Sequence, residues 1–133
     1  MPTILIVEDK ESSRYLLKTI LASAGYNVIE ASNGRKALIA AKKCLPDLIV
    51  SDVLMPVMDG FELCSRWMKD RMFCKIPFVF YSATYTHSRD KQLALDLGAA
   101  RYLIKPMESE VILDTIKSIL DQKIGRASCR ERV

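Results

Sequence analysis

The sequence predicts an α/β protein: a doubly wound, five-stranded parallel sheet with helices on both faces. Short apolar runs alternate with longer stretches of helical spacing along 133 residues. The runs are continuously apolar, which is typical of parallel strands that are buried on both faces. Each of four runs also ends at a charged residue or a serine. A chain of this length forms one domain with a sizeable core.

Five apolar runs are predicted as strands, at residues 3–7, 26–31, 48–50, 78–81 and 101–104. The first helix is expected from Glu11, with apolar residues on one face, and it ends at Gly25. Asn33 and Gly34 form a turn, and a short helix follows and stops before Pro46. These signals place the second helix between the second and third strands.

The third helix is expected to begin at Asp59, with Glu62 three residues later as in a capping box. The fourth helix spans residues 88–97 and is closed by Gly98. A last amphipathic helix carries apolar residues at helical spacing between Val111 and Leu120. Strands that alternate with helices in this way form right-handed βαβ units. We adopt the strand order 2-1-3-4-5 from known doubly wound folds of this size.

Charged and hydroxyl side chains follow four of the strands: Glu8 and Asp9, Asp52, Ser82, and Lys105. The carboxyl ends of parallel strands share one edge of the sheet, where the reaction sites of such folds collect. Crowded carboxylates repel one another unless a cation joins them, and oxygen ligands in an open cleft suit Mg²⁺. The residues are those needed to move a phosphoryl group onto a carboxylate. The alternative is a solvated cluster of ion pairs.

The chain resembles the receiver (response-regulator) domain of two-component signalling, of the chemotaxis-regulator type with its flavodoxin-like fold, from residue 3 to about residue 123. The matching residues are Glu8-Asp9, Arg14, Gly25-Tyr26, Ala31, Gly34, Ala37-Leu38, Pro46-Asp47-Leu48-Ile49, Asp52, Met55-Pro56, Met58-Asp59-Gly60, Ser82-Ala83, Gly98-Ala99, Tyr102 and Lys105-Pro106.

The resemblance implies that Asp52 accepts a phosphoryl group from a histidine kinase or a histidine phosphotransfer domain. It implies that Glu8, Asp9, Asp52 and the backbone carbonyl of Leu54 hold Mg²⁺, for which Mn²⁺ can substitute. Lys105 would contact the phosphoryl group and Ser82 would move to bind it. Tyr102 would turn inward as Ser82 moves, which changes the output surface made by the fourth helix, fifth strand and last helix.

Three positions depart from the family pattern: Ser82 replaces the commoner Thr, Leu54 is unusually apolar, and Met107 stands where Phe is frequent. In related receivers, residues at the positions of Leu54 and Thr84 orient the water that hydrolyses the acyl phosphate. Since neither side chain here is an amide or a carboxylate, we expect slow self-dephosphorylation. Beyond this and self-phosphorylation from a phosphodonor, the domain is not expected to be an enzyme. The resemblance also implies a cis peptide bond before Pro106.

Two other functions share parts of this pattern. A flavodoxin-like FMN-binding module has the same architecture, but Glu8, Asp9 and Glu11 would repel a phosphate that brings no metal. An aspartate-nucleophile phosphatase uses the same residue types and typically needs a second Asp two residues after the nucleophile. That position is Leu54, which makes turnover of phosphoesters unexpected.

Charge and composition restrict the partners. The last ten residues carry three arginines and one glutamate and account for half of the net charge of +4. The remaining charge predicts no nucleic-acid binding by the domain itself.

No apolar run is long enough for a bilayer, and no signal peptide opens the chain, so we expect a cytoplasmic protein without membrane contact. We expect residues 1–123 to form the receiver domain and residues 124–133 to be a linker stub or an expression tail.

Overall fold

A computed structural model describes residues 1–83 and 88–122, in which strands and helices alternate strictly. The strands are β1 Thr3–Val7, β2 Asn27–Ala31, β3 Leu48–Ser51, β4 Phe78–Ser82 and β5 Arg101–Ile104. The helices are α1 Glu11–Ser23, α2 Gly34–Lys43, α3 Gly60–Lys69, α4 Ser88–Asp96 and α5 Ser109–Gln122. The predicted elements are therefore confirmed, with boundary shifts of one to a few residues.

All strand pairs are parallel, and the order across the sheet is β2-β1-β3-β4-β5, as predicted. The register pairs Val7 with Ser51 and Ser82 with Ile104, so the strand ends lie level with one another. The polar residues that follow these strands consequently meet at one edge of the sheet.

Helices cover both faces of the sheet, and each face has its own apolar core. Helices α2 and α3 pack on one face, where Ala41 and Trp67 are fully buried. Helices α1 and α5 pack on the other through Leu21 and Ile116. Trp67 stacks on Phe73 with ring centroids 4.5 Å apart, and its indole nitrogen donates a hydrogen bond to the Ile76 carbonyl. Two covered faces explain why the strands read as continuous apolar runs.

The predicted helix boundaries have identifiable causes. The Asp59 carboxylate accepts a hydrogen bond from the Glu62 backbone at 2.8 Å and caps α3, as predicted. Asn33, predicted as part of a turn, caps α2 by accepting from the Lys36 backbone at 2.9 Å. Gly25 and Gly98 both have positive φ just after a helix, where glycine carries no steric penalty.

The peptide bond between Lys105 and Pro106 is cis, which confirms that prediction. No helix within residues 1–83 and 88–122 combines the length and apolar character needed to cross a membrane. The predicted tail, residues 124–133, lies outside the described residues.

Candidate functional site

Three carboxylates converge at the carboxyl edge of the sheet, as the strand order requires. Glu8 and Asp9 follow β1, Asp52 follows β3, and one oxygen of each lies within 4.8 Å of the other two. Glu8 is buried, Asp9 is exposed, and the Asp52 side chain is 13% exposed. Burial raises the pKa of Glu8 and the Asp52 charge raises it further, whereas hydrogen bonds from Lys105 and the Lys10 backbone oppose this. A hard cation that takes oxygen ligands, such as Mg²⁺, fits this donor set.

Lys105 supplies the positive charge of the site from the end of β5. Its Nζ donates a hydrogen bond of 2.5 Å to Glu8 Oε1 and lies 3.9 Å from Asp52 Oδ2. The ammonium also lies 5.4 Å from the centroid of the Tyr81 ring, within cation–π range. The Tyr81 hydroxyl accepts a hydrogen bond of 3.3 Å from the Met107 backbone. Tyr81 thus contacts both the lysine and the turn that carries it.

Asp52 is fixed by backbone contacts on its inner side. Its backbone nitrogen donates to the Val7 carbonyl at 3.0 Å, and its Oδ1 accepts from the Val53 nitrogen at 2.7 Å. Gly60 lies directly behind, and a Cβ on this residue would be 2.2 Å from the Asp52 carbonyl oxygen. The close approach of these two backbone segments therefore requires glycine at position 60.

A second ionic group adjoins the three carboxylates. Arg14 in α1 donates from Nη1 to the backbone carbonyl of Glu8 at 2.7 Å and from Nε to Glu30 Oε1 at 3.2 Å. Lys18 Nζ lies 3.0 Å from the other Glu30 oxygen. Arg14 is one of the residues that match the family, but the sequence assigns it no role. Its hydrogen bond to Glu8 could not be predicted, since the acceptor is a backbone carbonyl.

Ser82 ends β4 at this edge, whereas Tyr102 lies inside β5, paired with Phe80. Ser82 is fully buried, and Tyr102 is 8% exposed with its ring centroid 5.7 Å from that of Phe80. Burial raises the pKa of Tyr102, and the charges of Asp90 and Asp52 add to the effect. The Tyr102 ring is buried against Phe80, and its movement with Ser82 stays a prediction.

The loop after β3 carries Leu54, the remaining residue that the sequence analysis assigned to the site. Leu54 is 63% exposed, and Val57 is 73% exposed with a φ of 72°. Thr84 lies outside the described residues. Sequence reasoning missed Tyr81 and Glu30: an aromatic residue in a buried run reads as packing, and a glutamate in an outer strand reads as a solvated side chain.

The fold and the clustered acids define a class of proteins, and comparison with known proteins identifies it. The family model of the response regulator receiver domain matches residues 4–117. The chain belongs to this family, the receivers of two-component signal transduction.

Individual curated relatives match this chain over different shares of their own length. The chain is 39% identical over 117 residues to the alkaline phosphatase synthesis transcriptional regulatory protein PhoP of Bacillus subtilis, covering 88% of the chain and 48% of that protein. It is 33% identical over 120 residues to Protein PilH of Pseudomonas aeruginosa, covering 90% and 98% respectively. The chain spans about half the length of the first curated relatives that it matches.

Among solved structures, the signal receiver domain of a histidine kinase from Syntrophus aciditrophicus superposes with a TM-score of 0.84. The two chains are 36% identical, and the match covers 91% of each. The predicted strand order and family are therefore confirmed.

Proposed function

We propose that this chain is a phosphoacceptor receiver domain that takes a phosphoryl group from a phosphohistidine onto Asp52. The donor would be a histidine kinase or a histidine phosphotransfer domain. The observation that carries the proposal is the convergence of Glu8, Asp9 and Asp52 beside the Lys105 ammonium at one edge of the sheet.

The transfer needs a nucleophile, neutralisation of charge and a leaving group. A carboxylate oxygen of Asp52 attacks phosphorus, and the phosphorus–nitrogen bond breaks with its electron pair returning to the donor imidazole. An acyl phosphate forms on Asp52. Lys105 offsets charge on the phosphoryl oxygens, and the Ser82 hydroxyl is assigned to the same oxygens after transfer. Magnesium held by Glu8, Asp9, Asp52 and the Leu54 carbonyl would supply further positive charge at the phosphoryl group.

The output surface is assigned to the face made by α4, β5 and α5. Apolar side chains are exposed on all three elements, among them Leu93, Ile104 and Val111. Tyr102 belongs to β5 in the middle of this face and links it to the edge that carries Ser82. A partner protein or a linked output domain would bind this surface.

A phosphatase activity is disfavoured because an exposed leucine, Leu54, occupies the position where such enzymes place a general acid. The acid that does follow Asp52 in this loop, Asp59, caps α3 by accepting a hydrogen bond from the Glu62 backbone.

The proposal predicts that acetyl phosphate with Mg²⁺ or Mn²⁺ adds one phosphoryl group to the wild-type chain and none to Asp52→Asn. Intact-mass spectrometry measures the adduct. Asp59→Asn is the matched control, because it makes the same substitution in the same loop and asparagine is as good a helix cap as aspartate. An equal adduct on Asp52→Asn, or none on wild type, would contradict the assignment.

A further inference from the structure

A line of four polar residues connects the acidic site to α1 and β2. The Glu8 carbonyl accepts from Arg14, the Glu30 carboxylate accepts from Arg14, and Lys18 contacts the other oxygen of Glu30. The Arg14 side chain is 18% exposed, whereas that of Lys18 is 45% exposed. Arg14 is thus the inner member of the pair and the one that reaches the site.

The hydrogen bond from Arg14 to the Glu8 carbonyl acts on the turn that orients the Glu8 carboxylate. Glu8 directs Oε1 to Lys105 and Oε2 to the Lys10 backbone at 3.1 Å, so its orientation depends on the turn that follows β1. Three carboxylates with oxygens within 4.8 Å of one another repel and favour rotation of that turn away from Asp52. A hydrogen bond from a guanidinium to the Glu8 carbonyl opposes this rotation, because bonds to charged donors are the stronger ones.

We propose that Arg14 is a positioning residue for the divalent cation: its hydrogen bond to the Glu8 carbonyl holds Glu8 and Asp9 where both can bind the metal together with Asp52. The inference rests on the proposed function, since it assumes that the acidic site binds a cation. Glu30 orients the guanidinium, and Lys18 balances the charge of Glu30 without contacting the site.

A positioning role and a purely electrostatic role predict opposite changes in cation affinity when Arg14 is removed. If Arg14 acted only through its charge, its removal would strengthen binding of a cation to three carboxylates nearby. If it acts through position, its removal weakens binding even though a positive charge is lost. Lys18 provides the control, because Lys18→Ala removes the same charge from the same glutamate and leaves the Glu8 carbonyl bonded.

The experiment measures Mn²⁺ affinity of the full chain by electron paramagnetic resonance of free Mn²⁺. We expect Arg14→Ala to weaken Mn²⁺ binding by about tenfold, as for other residues that orient metal ligands. Lys18→Ala should change it by about twofold or less, since exposed ion pairs contribute little. Arg14→Lys should fall between, because one ammonium group cannot reproduce the planar guanidinium that spans both acceptors.

A second readout separates the positioning role of Arg14 from a general effect of the substitutions on folding. With acetyl phosphate as donor, Arg14→Ala and Arg14→Lys should raise the Mg²⁺ concentration for half-maximal phosphorylation and leave the rate at saturating Mg²⁺ nearly unchanged. Arg14→Lys preserves charge and helix propensity, so it carries the test if Arg14→Ala does not fold. Equal or tighter Mn²⁺ binding by both Arg14 variants would overturn this inference alone. Equal weakening by Lys18→Ala would also overturn it. Absence of Mn²⁺ binding by wild type would overturn the proposed function and this inference with it.

Discussion

We expect Leu54 to influence how water reaches the proposed phosphoacceptor. It follows Asp52 by two positions, and 63% of its surface is exposed. An aliphatic side chain offers no hydrogen bond to a water molecule that attacks phosphorus. The persistence of the phosphorylated state is therefore assigned in part to this one residue.

We predict that Leu54→Asn shortens the lifetime of the phosphorylated domain by about fivefold without reducing phosphoryl uptake. A hydrogen bond to the attacking water that is worth about 1 kcal/mol in the transition state corresponds to this factor. Decay of the adduct by intact mass is the measurement. Val57→Asn is the control in the same loop, and asparagine tolerates its positive φ. If Leu54→Asn decays at the wild-type rate, water is oriented elsewhere.

The element that sets the geometry of Asp52 is the connection from β3 to α3. Gly60 is the first residue of α3, and its nitrogen donates to the Val53 carbonyl at 2.7 Å. The helix therefore starts against the backbone that carries Asp52. Any side chain at this position would push the helix away from the strand end.

We predict that Gly60→Ala lowers the free energy of unfolding by about 2 kcal/mol or more, because the added methyl group would overlap the Asp52 carbonyl and Val53. Gly34→Ala is a matched control, since Gly34 also begins a helix and the atoms nearest to a Cβ there belong to the Met58 side chain rather than to the backbone. Urea unfolding of both variants gives the comparison. A smaller loss for Gly60→Ala than for Gly34→Ala would contradict this account.

The helices and strands could be predicted because their sequence signals are local. The residues of the site could be predicted only where they directly follow a strand. The apolar run of β3 and the Asp59 cap are visible in a few neighbouring residues. Strand order places Glu8, Asp52 and Lys105 at one edge of the sheet, but β3 and β4 lie between β1 and β5, so the direct contact of Glu8 with Lys105 also depends on the turn after β5. The Arg14 contact and the Tyr81 contact with Lys105 depend on the exact path of a turn, for which no sequence pattern exists. Tyr26 shows the same limit: it reads as strand, but its nitrogen bonds to Leu21 at the end of α1.

At the scale of the whole molecule, repulsion among the three carboxylates lowers the stability of the folded state, and the Lys105 ammonium offsets this repulsion in part. Glu8 and Asp52 are held close together partly away from solvent, and their repulsion is present only in the folded chain. A ligand that binds only the folded state adds stability according to its concentration.

We predict that Mg²⁺ at about 100 times its dissociation constant stabilises the wild-type domain by about 2.7 kcal/mol. Asp9→Asn should be more stable than wild type without metal and should lose most of the Mg²⁺ effect, because it removes one charge and one ligand. Thermal unfolding followed by Trp67 fluorescence, with sodium chloride of equal ionic strength as the control, measures both. An undiminished Mg²⁺ effect in Asp9→Asn would exclude this residue as a ligand.

The hydrogen bond between Glu8 and Lys105 joins residues that are 97 positions apart in the chain. During synthesis the first strand leaves the ribosome long before the lysine does. At about 5 to 20 residues per second the interval is on the order of 5 to 20 s. A nascent chain would therefore display its acidic residues without their cationic partner for that time. We therefore expect the proposed phosphoryl transfer from a histidine kinase to begin only once β5 has docked against the sheet and Lys105 is in place.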